Sequence, residues 1–259
     1  MGQMHLGKIL IFPIKSLDGV SVAEARLTSG GILEHDRVYA IFDQEGRVVN
    51  GKRTARIHEL RCAFDACIKE VSLWQNDATR PDQFQLDAPQ AMEKWLGDFF
   101  GFPVTLRQES LKGFPDDLTA FGPTITSEAS LTEVNRWFPE LTPESVRRRF
   151  RSNLELIGEE PFCEDRLFGA PNELKRFKIG AVNFQGHNPC QRCVVPTRDP
   201  DRGQATAEFQ KKFMELRKQF LPAWSNSQRF NHYYRFAVNT SILPEEAGKM
   251  LRLGDPVHL

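Results

Sequence analysis

Charge of one sign is the first thing this sequence has no surplus of. Against 34 Lys and Arg stand 34 Asp and Glu in 259 residues, so no whole-chain bias points to nucleic acid or to a membrane surface. Cysteine is sparse and odd in number, five residues at 62, 67, 163, 190 and 193, which argues against a disulfide framework. Tyrosine is nearly missing: three residues against twenty Phe mark the aromatic content as core filling rather than a polar binding face. No apolar run reaches the roughly eighteen residues of a membrane span. The opening Met-Gly-Gln-Met-His-Leu has no apolar signal core, no cleavage site and no Ser or Thr at position six for myristoylation. These absences lead to the expectation of a reduced, cytoplasmic protein. What is present is ordinary globular composition, 40% apolar and 26% charged, in a chain long enough for one large or two ordinary domains.

Along the chain, residues 6–14 read as a strand cut short at Pro13, and residues 20–28 alternate as a second. Residues 37–43 and 47–49 flank Gln44-Glu45-Gly46 as a hairpin, and 62–74 reads as further strand. The first strong helix is 88–100, with Trp95, Leu96, Phe99 and Phe100 on one face, Asp87 as cap and Gly101 as stop. The polar stretch Lys112-Gly-Phe-Pro-Asp-Asp117 then marks a boundary, giving domains of 1–120 and 121–259. Beyond it come a helix over 127–138 capped by Thr126 or Ser127, strands at 150–157 and 173–184, and an amphipathic helix near 205–220. Residues 234–240 and 251–259 close the chain as strand. Strands separated by turns, few helices and no βα rhythm predict a mainly β protein with attached helices, built from barrel-like domains.

The chemistry concentrates at Asn188-Pro189-Cys190-Gln191-Arg192-Cys193. A thiolate attacks electrophiles and binds soft metals, and an adjacent cation favours that form. The spacing alone leaves three readings open: half a zinc site, a redox pair, or two unrelated thiols. Zinc needs further ligands, and Cys62 and Cys67 are poorly spaced for it. The redox reading needs a strand-to-helix junction, where a β-branched run follows instead. In Arg147-Arg148-Arg149 the guanidinium groups read as a solvated face. Arg151 and Asn153, placed at a strand start with period two, project together as equipment for a phosphate or a polar heterocycle. Lys15 and Ser16 after Pro13 suit a turn that holds an anion, and the helix start at Ser127 offers free N–H groups.

Taken together, these segments resemble the MOSC-domain family, and more closely the arrangement in which an N-terminal β-barrel domain precedes MOSC, as in the amidoxime reducing components. The resemblance rests on Phe12-Pro-Ile-Lys-Ser-Leu-Asp-Gly19, Asp36-Arg37, Ser127-Glu-Ala-Ser-Leu131, Phe150-Arg-Ser-Asn153, Cys190-Gln-Arg-Cys193 with Thr197-Arg-Asp-Pro200, and Gly254-Asp-Pro-Val, in one order over nearly the whole chain. It implies a molybdenum cofactor, a pterin dithiolene bearing a phosphate, with the metal bound also by the cysteine after the arginine, here Cys193. Lys15, Ser16, Arg37 and Ser127, with Arg151, Asn153 and Arg192, match positions that hold the cofactor. Departures are Gln191 where relatives often carry Ser, and Leu17-Asp18 where they often show Cys-Lys.

The implied activity is reduction of N-hydroxylated compounds such as amidoximes, hydroxylamines or N-hydroxylated bases. Electrons would come from a separate ferredoxin- or cytochrome-type protein, because no four-cysteine ferredoxin segment follows residue 259. Asp36, Asp165 and Asp199 are the candidate proton carriers. The alternative is a molybdenum cofactor or sulfur carrier akin to the C-terminal part of molybdenum cofactor sulfurases, without their pyridoxal-phosphate domain. Neither nucleic acid nor membrane is an expected partner.

Overall fold

A computed structural model describes residues 4–259, and part of the amino-terminal stretch read for leader signals, residues 1–3, lies outside the described residues. In chain order the strands and helices begin with β1 (His5–Ile11), β2 (Val20–Val22), β3 (Glu24–Arg26) and β4 (Tyr39–Asp43). Next come β5 (Leu60–Phe64), β6 (Glu70–Gln75), β7 (Asp82–Gln85), α1 (Gln90–Phe100) and β8 (Val104–Gln108). The second half holds β9 (Ile125–Ser127), α2 (Glu128–Trp137), α3 (Pro143–Phe150), β10 (Leu154–Ile157), β11 (Lys175–Ile179) and β12 (Val182–Gln191). It closes with α4 (Phe209–Gln219), β13 (Arg235–Ser241), β14 (Met250–Arg252) and β15 (Val257–His258). The protein is mainly β with four α-helices among the described residues. No helix of the described residues is long and apolar enough to cross a membrane.

The main sheet has eight strands in the order β15-β11-β12-β13-β9-β10-β1-β2. β9 and β10 run parallel; their neighbours pair antiparallel. β1 is thus hydrogen-bonded to an element some 150 positions away, in the register His5 opposite Ile157 and Ile9 opposite Leu154. β3 likewise pairs with β14, Ala25 facing Leu251. This partner change splits the expected strand over 20–28: β2 stays on β1, and after Ala23 the chain moves to β14.

Three apolar clusters stabilise the molecule. Leu6, Ile9 and Ile11 of β1 pack with Leu154, Val182, Phe184 and Val238 under the main sheet. Ile41, Leu73, Leu96 and Phe99 form a second cluster with α1. Trp137, Phe138, Phe150, Phe162, Phe209, Phe213 and Phe236 form a third, largely aromatic one among α2, α3 and α4, with Phe150 and Phe236 ring centroids 4.2 Å apart. The phenylalanine excess serves this packing.

Several elements differ from the sequence expectation. The stretch 62–74 is a hairpin, because the Asp65 carboxylate accepts from the N–H groups of Cys67, Lys69 and Glu70 and turns the chain. The stretch 173–184 is also a hairpin, β11 to β12. Pro89, not Asp87, precedes α1, while Gly101 closes it in the left-handed conformation. α4 is shorter than the span 205–220. α3 stands where no helix was expected: Thr142 caps it by accepting from Ser145 N, and Pro143 fills its first position.

Candidate functional site

A cavity of about 540 Å³ lies where the loop after β1, the segment before β5, the 112–124 connection, the end of α3 and the end of β12 converge. Lys15, Ser16, Arg37, Arg151, Asn153, Arg192 and Cys193 all line it, as do Cys190, Asn188, Arg235 and His58. Ser127 does not. It is fully buried as the N-cap of α2, accepts from Ser130 N, and donates its hydroxyl to Glu164 at 2.8 Å. Glu164, raised by burial above the usual carboxylate range, also takes Thr126 and Ser130 hydroxyls. The free helix start expected at Ser127 is therefore filled by a carboxyl from elsewhere in the chain.

One wall is closed on itself. The Lys15 ammonium donates to Phe114 O (2.9 Å) and Pro115 O (3.1 Å) and pairs with Asp116 (3.0 Å), so its three protons go to the connection between the sequence halves. Burial lowers the Lys15 pKa, and Asp116 opposes that shift. Arg37 donates from Nε to Asp36 (2.8 Å) and from Nη2 to Asn153 Oδ1 (3.4 Å). Burial works against this cation, but Asp36 and Asp116 outweigh it and hold Arg37 above its ordinary value. Asn153, only 1% exposed, gives its amide protons to Leu10 O and Asp36 Oδ1, and its oxygen accepts from Thr124 N and Oγ1. Asp36 itself, 2% exposed, accepts from Phe12 N, Arg37 and Asn153.

Arg151 and Asn153 share the cavity, but not through strand alternation. The strand begins at Leu154; Arg151 is the left-handed C-cap of α3, φ 52°, and its guanidinium lies 4.2 Å from the Phe12 ring centroid while donating to Leu17 O at 2.6 Å. The preceding arginines are not a solvated face either. Arg149 is 2% exposed and donates to Pro196 O and Thr206 Oγ1, Arg148 to Asp201, and Arg147 to the buried Glu155.

The opposite wall is built by β12 and β13. Arg192 does not turn to Cys193: its Nη1 lies 3.3 Å from Cys190 Sγ and its Nη2 donates to Phe150 O. Cys190 lies in the last two residues of β12, where the register to β13 is irregular, and Arg192 and Cys193 follow just past the strand's end. Arg235 donates to Pro189 O and Asn231 Oδ1. On this wall Asn188 Oδ1, Arg192 Nε and Arg235 Nε are buried without a hydrogen-bond partner among the described residues. So is His58 Nε2, which the sequence reading passed over. Burial, with Arg151, Arg198 and Arg148, pushes the His58 pKa down to about 4.

None of the three aspartates considered as proton carriers lines the cavity: Asp165 is buried against Arg217 and Ser225, and Asp199 accepts from Asp201 N and Arg202 N. Asp36 touches the site only through its three donors. All five cysteines are free, and the described residues contain no group of three or more His, Cys, Asp or Glu side chains placed to hold a metal ion.

Residues 3–103 match the MOSC N-terminal beta barrel domain and residues 123–258 match the MOSC domain. The human mitochondrial amidoxime-reducing component 1 is 26% identical over 296 residues, spanning 98% of this chain and 82% of that protein. A molybdenum cofactor sulfurase of Oryza sativa subsp. japonica is 23% identical over 252 residues, 79% of this chain but 29% of that longer protein. The solved YUAD protein from Bacillus subtilis gives a TM-score of 0.39 at 10% identity, over 99% of this chain and 94% of that one.

Proposed function

We propose that the chain, which belongs to the MOSC-domain family, is a molybdenum-cofactor oxidoreductase that reduces N-hydroxylated compounds with electrons from a separate donor protein. The observation that carries this reading is the meeting, around one cavity, of a thiol, Cys193, with guanidinium and amide groups whose buried polar atoms lack partners. A phosphate-bearing pterin dithiolene demands that donor set: cations for its charge, amides for a polar ring, and a soft thiolate for the metal. Relatives named as amidoxime-reducing components, aligned over 98% of the chain, support the same activity.

In this reading Cys193 would hold the metal, Arg192 and Arg235 would neutralise cofactor charge, and Asn188 would offer its amide to the polar ring. Bound there, the cofactor would supply two-electron removal of oxygen from nitrogen, the substrate hydroxyl leaving as water with two protons taken up. Arg37 and Asn153 keep the cavity's shape, because their bonds tie Leu10 of β1 to Asp36 and Thr124. The domain division at residue 120 assigns Lys15 and Arg37 to one side of the cofactor and Arg151, Arg192 and Cys193 to the other.

Metal analysis of protein purified from a molybdenum-competent host tests this. Near-stoichiometric molybdenum that falls at least tenfold in Cys193→Ala is expected; stoichiometric zinc without a pterin product after oxidation sinks the reading. A second reading, a cofactor or sulfur carrier, draws on Cys190, whose sulfur lies 3.3 Å from Arg192 Nη1 at the cavity wall. Molybdenum present without reduction of any N-hydroxylated compound by chemically reduced protein favours that carrier.

A further inference from the structure

Residues 114–121 run along the cavity as a strap between the two sequence halves, and Pro115, Asp116, Asp117, Leu118 and Ala120 of this strap line it. The strap is fixed at both ends. At its start Phe114 N donates to Arg37 O at 2.8 Å, and Asp116 pairs with the Lys15 ammonium. Just after it Gly122 N donates to Thr240 O at 2.9 Å, and a Cβ on Gly122 would stand 2.7 Å from that oxygen. Between these anchors the Asp117 carboxylate accepts from Thr119 N (2.8 Å), Thr119 Oγ1 (2.7 Å) and Asn239 Nδ2 (3.2 Å). An aspartate that accepts from the N–H two residues on closes a tight turn of its own. Leu118 stands at the apex of that turn.

Leu118 is the most exposed large apolar side chain among the described residues, at 77%, and it belongs to none of the three apolar clusters. A leucine alone on a protein surface needs no explanation. This one differs because it lines a cavity, and because partners on both sides hold its turn out from any core. The cavity itself is two-faced. Its lining joins the guanidinium and amide groups already described to Phe12, Ile57, Pro115, Leu118 and Val195. Such a surface suits a molecule with a polar head and an apolar body.

We propose that Leu118 is a specificity-determining residue that contacts the hydrocarbon body of an N-hydroxylated substrate, favouring amidoximes with an extended apolar substituent over short ones. The identity of the polar head rests on the reductase reading, whereas the contact itself needs no electron transfer. Covering this leucine removes apolar area from water on both partners. That gain is the same in the ground state and the transition state, so it acts on substrate affinity and leaves the chemical step alone.

Acetamidoxime and hexanamidoxime, one head group on a short and a longer alkyl chain, are the probes. Each is titrated by calorimetry into full-length oxidised protein from a molybdenum-competent host, which cannot turn over. Hexanamidoxime is expected to bind roughly tenfold tighter than acetamidoxime. In Leu118→Ser that preference is expected to fall to about twofold or less, and in Leu118→Met to be kept. Both positions of the side chain are exposed to solvent, so neither variant is expected to disturb folding. Leu253→Ser, at a leucine 47% exposed and outside the cavity lining, is expected to change neither affinity. With chemically reduced protein, Leu118→Ser is expected to raise KM for hexanamidoxime and leave kcat unchanged. Equal binding of the two amidoximes, a preference that survives in Leu118→Ser, or binding of neither overturns the inference. The expected binding preference without reduction of either amidoxime overturns the reductase reading and leaves the leucine contact standing.

Discussion

The two walls of the cavity contain similar residue types and treat them in opposite ways. On the wall of Lys15, Arg37 and Asn153, the polar groups are met within the protein: three acceptors for the ammonium, Asp36 and Asn153 for the guanidinium, and main-chain partners for the amide. On the wall of Asn188, Arg192 and Arg235, each side chain keeps one buried atom without a partner. A buried polar group left unpaired costs about 1–3 kcal/mol, which in the proposed reading a bound cofactor would offset. The comparison teaches that a cation in a cavity is not by itself a ligand contact: the first wall joins the halves of the chain, and the second is the one that, in the proposed reading, takes the guest.

Breaking the joining wall gives the largest expected effect. Asp36→Ala removes the acceptor of Phe12 N, Arg37 and Asn153 at once. Its loss is expected to lower unfolding stability by about 3–5 kcal/mol, the cost of stranding a buried charge, read by urea denaturation. An unchanged midpoint would mean that water repairs the gap and that the wall is no joint. On the guest-facing wall the expectation reverses. Arg235→Gln should leave stability within about 1 kcal/mol, as two main-chain or amide contacts go and one unpaired atom goes with them. Its molybdenum content, in protein from a molybdenum-competent host, should fall roughly tenfold, the worth of one charge-assisted bond. Stability loss without molybdenum loss would erase the distinction between the walls.

A third effect is read through pH. The folded-state value of His58, about 4, lies below the 6.5 of a free imidazole. Between those values the unfolded chain binds the proton more readily, so this contribution to stability is present above pH 6.5 and is lost as pH falls towards 4. The amount is at most about 3 kcal/mol. Denaturation of wild type and His58→Gln at pH 7 and 4.5 is expected to show a smaller acid loss in the variant; equal losses would place the ring in water.

Much of this was legible in the sequence where the signal is local. The face of Trp95, Leu96 and Phe99 and the stop at Gly101 describe α1, and the capping residue Ser127 starts α2. What stayed hidden depends on partners far along the chain. Ser127 looks like an anion site until Glu164, 37 positions on, takes its hydroxyl. Arg149 looks solvated until Pro196 O, 47 positions on, accepts from it. α3 did leave a local trace, Thr142-Pro143-Glu144, which the run of arginines behind it obscured. Of the cavity residues, Cys193 and Arg192 stand out by chemistry, whereas His58 has no motif and is marked only by Gly51 and Gly203, which close on it.

The pairing of β1 with β10 also sets a timetable. A ribosome finishes residues 5–11 long before it reaches 154–157, the strand that β1 needs. At roughly 5–20 residues per second the gap is on the order of ten seconds. For that interval β1 has only β2 beside it and its other apolar edge stays open to mispairing, and the cavity cannot close before β10, β12 and β13 are made.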